Sequence, residues 1–300
     1  KAVYPSSVVM NVVPAQVARV PRIAVSSPAQ ENGLPSPSVM ATCALLGIDE
    51  VYGIGGASAI AAFAYGVTEI NLEPVAMVTG PGNIFVAAAK RQLRGVIGID
   101  SEAGPTEILI VADESANPRF IAADLISQAE HDQNAAAVLV TDSARLIEQV
   151  EAELLVQVGL AKNRDRIEAS LGGIQSALVL VTDMSAAMAV ANEYATEHLE
   201  IQTANSEELA NQVRHAGAVF VGAYSPVSLG DYLAGSNHVL PTGQQAKFSS
   251  GLSVFTFLRT QQRVTYSADA LASVTDRLRV FSEAEKLSAH GRAGSIRLEE

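Results

Sequence analysis

The sequence has no tryptophan, one cysteine, and few aromatic residues, 5% of the total. A single thiol excludes an internal disulfide and fits a reducing compartment, so a cytoplasmic location is expected. Basic residues are scarce too: 20 Lys and Arg stand against 32 Asp and Glu, a net charge of −12. Phosphate backbones demand a basic face, so nucleic acid is not expected as a partner. No apolar run approaches the roughly 18–20 residues of a membrane span, and no membrane association is expected. Residues 1–13 lack the charged start, apolar block and small-residue cleavage site of a secretory signal. The sequence does not open with Met, which leaves room for a targeting segment before Lys1.

What the chain does have is Ala, Val, Ile and Leu; hydrophobic residues make up 48%. That composition suits buried parallel strands flanked by Ala-rich helices. Helical patterns at 6–17 (where Pro14 should kink or break the helix), 36–46, 57–65 and 83–93 alternate with strand patterns at 22–26, 50–54, 75–78 and 95–99. Ser36 and Pro37 stand as N-cap and first helical residue. Cys43 falls in the apolar helical pattern 39–46, where a buried structural thiol is expected.

A second series follows, with strands at 107–112, 136–141, 177–182, 200–203 and 218–221 and helices at 118–130, 144–158 and 184–196. Alternation of this kind indicates α/β architecture with two Rossmann-like, doubly wound halves built on parallel sheets. The phrases V-L-V-T-D at 138–142 and 179–183 echo each other. Residues 222–251 read as a long irregular stretch carrying Asp231, Asn237 and His238, and loops of that length are often functional. Residues 252–267 look strand-like, and 268–290 form a helical tail with little core of its own. The expected domains are 1–105, 106–252 and a C-terminal tail, 253–300.

Three places carry candidate chemistry. In I-A-A-D-L-I-S-Q-A-E-H-D (121–132), Gln128 and His131 are three apart and project from one face of a helix. An amide oxygen and an imidazole so placed can bind one cation; an ordinary solvated helix end is the other reading. Glu197-His198 sits between a helix and a strand, at one end of a strand, where crevices of open sheets form. A carboxylate beside an imidazole there makes an acid/base pair, with the His pKa near the operating pH. The turn Gly80-Pro81-Gly82-Asn83 opens a helix after a strand, a setting that admits an anion or simply a tight turn. Gly53-Ile54-Gly55-Gly56-Ala57-Ser58 is half of a dinucleotide fingerprint, with Ser58 at its third glycine position. His215 receives no role.

Five phrases in order, G-P-G-N-I-F-V-A-A-A-K-R (80–91), D-S-E-A-G-P-T-E-I (100–108), Q-A-E-H-D (128–132), E-H-L-E (197–200) and G-D-Y-L-A-G-S-N-H-V-L-P-T-G (230–243), resemble the histidinol dehydrogenase family. The resemblance covers nearly the whole chain. It implies oxidation of L-histidinol through the aldehyde to L-histidine, with two NAD and one zinc ion per subunit. Carried over by motif, Gln128, His131, Asp231 and His290 would ligate zinc, and the substrate's imidazole and amine would complete an expanded shell. His198 would take the alcohol and hydrate protons and Glu197 would activate water. Thr106, His238 and Glu285 would line the substrate pocket together with the four metal ligands and His198. Asn83 would touch NAD, as would Ser58, which stands where the family usually has Gln. His290 and Glu285 would come from the partner's tail, so a homodimer with shared sites is implied.

The sequence also departs from the pattern. Family members carry an N-terminal segment ending in a Tyr-x-Pro-Gly-Gly phrase before the match to residues 1–10, and its NAD-contacting Tyr has no counterpart in Tyr4. Thr106 replaces the usual Ser and keeps the hydroxyl. Two other readings are a relative that uses zinc and NAD on another small polar alcohol, such as a sulfonated diol, and a non-catalytic α/β ligand-binding protein.

Overall fold

The structure, a computed structural model, describes residues 3–299 and falls into two compact units, Lys1–Leu258 and Arg259–Glu300. The first unit opens with α1 (Pro5–Val17), β1 (Ala24–Ser26), α2 (Pro37–Leu45), β2 (Glu50–Tyr52), α3 (Ala57–Tyr65), β3 (Met77–Val78), α4 (Ile84–Leu93) and β4 (Gly98–Ile99). Strands β1 and β2 pair in parallel, as do β3 and β4. Ser36 caps α2 by accepting from the Val39 amide, and Cys43 is buried with Val8, Val12, Val39 and Ile48 between α1 and α2.

Helix α1 is unbroken at Pro14. A proline removes the N–H that would have bonded the carbonyl four residues earlier. Here that carbonyl, of Met10, accepts instead from Asn237 Nδ2 at 2.6 Å. A side chain from the long 222–251 stretch thus meets the group that the proline leaves unpaired.

The second series comprises β5 (Glu107–Ala112), α5 (Pro118–Ala129), β6 (Ala136–Thr141), α6 (Ala144–Leu160), α7 (Arg164–Leu171), β7 (Ala177–Leu180), α8 (Met184–Tyr194), β8 (His198–Gln202), α9 (Ser206–Ala210), β9 (Ala218–Val221) and α10 (Val227–Tyr232). Its five strands form one parallel sheet in the order β7-β6-β5-β8-β9. One face packs Ile108, Ile110 and Ala112 of β5 against Ile121 and Leu125 of α5, with Val227 of α10. The other packs Leu109, Val111, Leu199 and Ile201 against Ala187, Met188 and Ala191 of α8. Alternate residues of each strand thus serve opposite layers.

Two expectations need correction. Residues 252–267 contain no strand: Val254–Phe257 is a 3-10 turn. Ser253 N–H donates to Thr256 Oγ1 at 3.1 Å, a local cap that competes with strand pairing. The tail is two helices, α11 (Ala268–Ala284) and α12 (Ser288–Ser295). Lys286, at φ 59°, ends the first, and Leu287 N–H returns to the Ser282 carbonyl at 2.7 Å, closing the helix end. Gly291 and Gly294 of α12 face α11, where a Cβ would meet Ser282 and Leu278. Among the described residues no helix is long and apolar enough to cross a membrane.

Candidate active site

The candidate residues gather at the amino ends of two adjacent strands. Thr106 directly precedes β5, Glu197 directly precedes β8, and His198 is the first residue of β8, paired in register with Ile108. Helix α8 stops at Tyr194, so His198 belongs to the strand rather than to the helix end. The crevice of open α/β sheets lies at the carboxyl ends; this cluster uses the opposite edge. Helix α5 runs back along the sheet, so Gln128 in its last turn reaches that edge. His131 lies just beyond the helix, its N–H still bonded to the Gln128 carbonyl.

A chain of hydrogen bonds joins these groups. Gln128 Nε2 donates to Thr106 Oγ1 at 2.5 Å, and that hydroxyl donates to Glu197 Oε2 at 2.5 Å. The Glu107 N–H donates to the same oxygen at 3.0 Å. His198 Nδ1 lies 3.0 Å from the Glu107 carbonyl and 3.6 Å from Glu197 Oε2. A carbonyl only accepts, so Nδ1 carries the hydrogen and Nε2 keeps the lone pair.

Burial sets the protonation. It pushes the Glu197 carboxyl up to about 8; the Thr106 and Glu107 hydrogen bonds oppose this and the nearby Asp231 charge adds to it. Burial pushes His198 down, against the Asp231 charge, the Glu107 carbonyl and the Glu107 carboxylate, which favours the neutral ring. His131 is also pushed down by burial; the Asp231 and Glu130 carboxylates oppose this, and the proximity of the His198 and His238 rings adds to it. His131, His198, His238 and Asp231 therefore share one electrostatic neighbourhood.

Three groups in it lack partners. Gln128 is 1% exposed and its amide hydrogen is spent on Thr106, while its oxygen accepts no hydrogen bond among the described residues. The His131 ring makes none either, and the Asp231 carboxylate only approaches His238 Nδ1, at 3.8 Å. An amide oxygen, an imidazole and a carboxylate without hydrogen bonds among the described residues are a donor set that suits a divalent cation with mixed N/O preference, such as zinc. No group of three or more His, Cys, Asp or Glu close enough to hold a metal occurs among the described residues. On this unit the set relies on the Gln128 amide. His290 and Glu285 lie on the second unit, both exposed.

His238 Nδ1 donates to the Asp231 carbonyl at 3.1 Å, and its Nε2 lies 3.3 Å from Ser7 Oγ. The nicotinamide candidates lie at helix starts. Asn83 caps α4, its Oδ1 accepting from Phe85 and Val86 amides at 3.0 and 3.2 Å, and Ser58 is exposed in the first turn of α3. Each follows a Gly-containing turn with a glycine in a left-handed conformation, Gly80 (φ 114°) and Gly56 (φ 69°). At α4 the Asn83 side chain takes two of the first N–H groups, while α3 has no side-chain cap, which leaves its start the more open to a phosphate. His215 serves structure, its Nδ1 3.0 Å from the Asn192 carbonyl.

The histidinol dehydrogenase family model matches residues 1–298. The chain belongs to the histidinol dehydrogenase family. It is 62% identical over 300 residues to histidinol dehydrogenase of Thermobifida fusca, covering 99% of this chain and 68% of that protein. It is 58% identical to the Leifsonia xyli histidinol dehydrogenase over 302 residues, with 100% and 69% covered. The crystal structure of histidinol dehydrogenase from Elizabethkingia anophelis superposes with a TM-score of 0.93 at 34% identity, covering 99% of this chain and 68% of that one. As a histidinol dehydrogenase, the chain is an NAD-dependent oxidoreductase of histidine biosynthesis.

Sequence reading missed three contributors to this site. Glu107 holds both Glu197 and His198 through its backbone, and a backbone role leaves no mark on side-chain pattern. Glu200 and Gln202 did leave one: with His198 they form a polar alternation on a strand whose other residues, Leu199 and Ile201, are fully buried.

Proposed function

We propose that the chain oxidises L-histidinol through the aldehyde to L-histidine with NAD and zinc, using residues 106–252 for the metal and the acid/base work and residues 1–105 for the nicotinamide cofactor. The observation that carries this is the convergence of Gln128, Thr106 and Glu197 in one hydrogen-bonded run, which the Glu107 backbone extends to His198, beside His131 and Asp231.

Gln128, His131 and Asp231, with His290 of the partner subunit, would hold zinc, which when bound would supply orientation of the substrate and polarisation of its oxygen. NAD bound near Asn83 and Ser58 supplies the hydride acceptor. His198 Nε2, neutral and unbonded, takes the alcohol proton in the first oxidation. Water then adds to the aldehyde. Glu197 Oε2 is occupied by Thr106 and Glu107, which leaves Oε1 to take a proton from that water. Once His198 has passed its first proton to solvent and the reduced nicotinamide has been exchanged for a second NAD, the hydrate proton goes to His198 as the second hydride leaves, giving the carboxylate. His238, Thr106 and Glu285 would complete the substrate contacts.

A homodimer with shared sites is part of the same proposal. The second unit leaves Val280 and Phe281 60% and 71% exposed on α11, apolar area that a partner subunit would cover. Zinc-loaded chain with L-histidinol and NAD should form reduced nicotinamide, seen by absorbance, and His198→Ala should lose that activity by orders of magnitude. A zinc-loaded chain that oxidises other polar alcohols but not histidinol would defeat the substrate assignment.

A further inference from the structure

A second buried polar cluster lies one turn away from the site, on the same three elements. Asp124 of α5 precedes Gln128 by one helical turn, Val227 of α10 precedes Asp231 by one turn, and Glu200 follows His198 on the same face of β8. These groups are joined. Gln202 Nε2 donates to Asp124 Oδ2 at 3.2 Å and to Glu200 Oε2 at 2.9 Å, and Glu200 Oε1 accepts from the Val227 N–H at 3.0 Å. Glu200 is 1% exposed, Gln202 4% and Asp124 9%. Stability alone gives no reason for this arrangement. Two carboxyls and an amide in an apolar layer cost desolvation, and well-packed apolar residues serve stability at least as well. What the cluster supplies is register among α5, β8 and α10.

We infer that Asp124, Glu200 and Gln202 are positioning residues: the Asp124–Gln202–Glu200–Val227 brace sets the spacing of α5, β8 and α10, and so holds Gln128 and Asp231 at the distance from His198 that metal and substrate binding require. The inference rests on the site reading proposed above. Burial raises both carboxyls, Glu200 well above the usual range with the Asp124 charge adding to it. Both Glu200 oxygens accept, so an amide at position 200 can keep the Val227 bond but sets an NH2 against the Gln202 donor, whereas a methyl group loses both bonds.

Glu200→Ala, Glu200→Gln and Gln202→Met, the last cutting only the amide bridge, are compared with the unaltered chain and with Leu139→Ala, a core change outside the brace. Exchange of the Val227 amide, zinc affinity by chelator competition, and kcat and KM are measured on each. Glu200→Ala and Gln202→Met are expected to speed Val227 exchange and to weaken zinc binding about 10–100-fold, the range seen when groups that orient metal ligands are removed. KM for NAD is expected to stay unchanged, and Glu200→Gln, which keeps the Val227 bond, to lose less zinc affinity than Glu200→Ala. Faster exchange with unchanged zinc affinity and kcat overturns the inference, as does an equal zinc loss in Leu139→Ala at matched loss of stability. Should Glu200→Ala not fold, Gln202→Met decides by the same criteria. An unaltered chain that neither binds zinc nor reduces NAD defeats the site reading and the inference with it, a result visible before any variant is made.

Discussion

Thr106 Oγ1 donates to Glu197 Oε2 at 2.5 Å while accepting from Gln128 Nε2 at 2.5 Å, so one hydroxyl links the amide proposed for the metal to the carboxyl proposed for the water. That bond favours the ionised carboxyl, against the desolvation that raises it. Thr106→Val removes the bond at nearly constant volume. The Glu197 pKa should move further up, the rising limb of kcat against pH should shift to higher pH, and kcat at pH 7 should fall roughly 10–100-fold, the usual scale for acid/base contributions. Thr106→Ser should stay near the unaltered enzyme. A pH profile of Thr106→Val that superimposes on the parent would show that the hydroxyl does not tune Glu197.

The same carboxyl predicts a pH dependence of stability in the metal-free chain. Its folded value, about 8, lies above the ordinary range, so the folded state binds a proton that the unfolded state has released. Its contribution is full below the unfolded pKa and is lost as pH rises through about 8, with a slope of up to about 1.4 kcal/mol per pH unit between the two. Urea midpoints should therefore fall from pH 5 to pH 8 more steeply in the unaltered chain than in Glu197→Gln. Equal slopes would place Glu197 in a more polar environment than its burial indicates.

The strand and helix order could be read from the sequence because periodicity is a local property, and Ser36, Pro37 and Cys43 behave as their types dictate. Gln128, Thr106, Glu197 and His198 were found by motif, and the structure brings them together. What could not be read is non-local. Nothing near Pro14 announces that Asn237, more than 200 positions away, takes up the Met10 carbonyl and keeps the helix whole. The helix α10 inside the 222–251 stretch was also hidden, since Gly230 and Pro226 mark it as loop, yet the Glu200 carboxyl caps its first amide. The break at Lys286 depends on a left-handed residue that is not glycine.

Lys90 supports the cofactor side in a way open to measurement. Its ammonium, 2% exposed, meets Asp100 Oδ1 at 2.6 Å and the Gly80 carbonyl at 2.5 Å, while the Gly80 N–H donates to Asp100 Oδ2 at 2.8 Å. The ion pair thus fixes both polar groups of the glycine that opens the 80–83 turn. Lys90→Ala leaves a buried carboxylate unpaired and should cost about 3–5 kcal/mol by urea unfolding. Lys90→Met with Asp100→Asn should recover part of that. If the turn holds NAD, the double variant should raise KM for NAD with little change in KM for histidinol; equal changes in both would separate the turn from cofactor binding.

Gly217 tests how closely the backbone at Glu197 is defined. A Cβ built there would lie 2.6 Å from the Glu197 carbonyl oxygen and 3.2 Å from Leu240 Cβ. The backbone of Glu197 cannot move freely, because its carbonyl accepts from the Ala218 N–H at 2.9 Å and its carboxyl is held by Thr106 and Glu107. Gly217→Ala should therefore cost about 1–3 kcal/mol through overpacking. It should also displace Glu197 by a fraction of an ångström, which in a preorganised site lowers kcat up to about 100-fold while leaving KM for NAD unchanged. Thermal midpoint and kcat measured together decide it. A lowered midpoint with unchanged kcat would mean that the strain escapes through Leu240, and that the Glu197 carboxyl keeps its place although its backbone has moved.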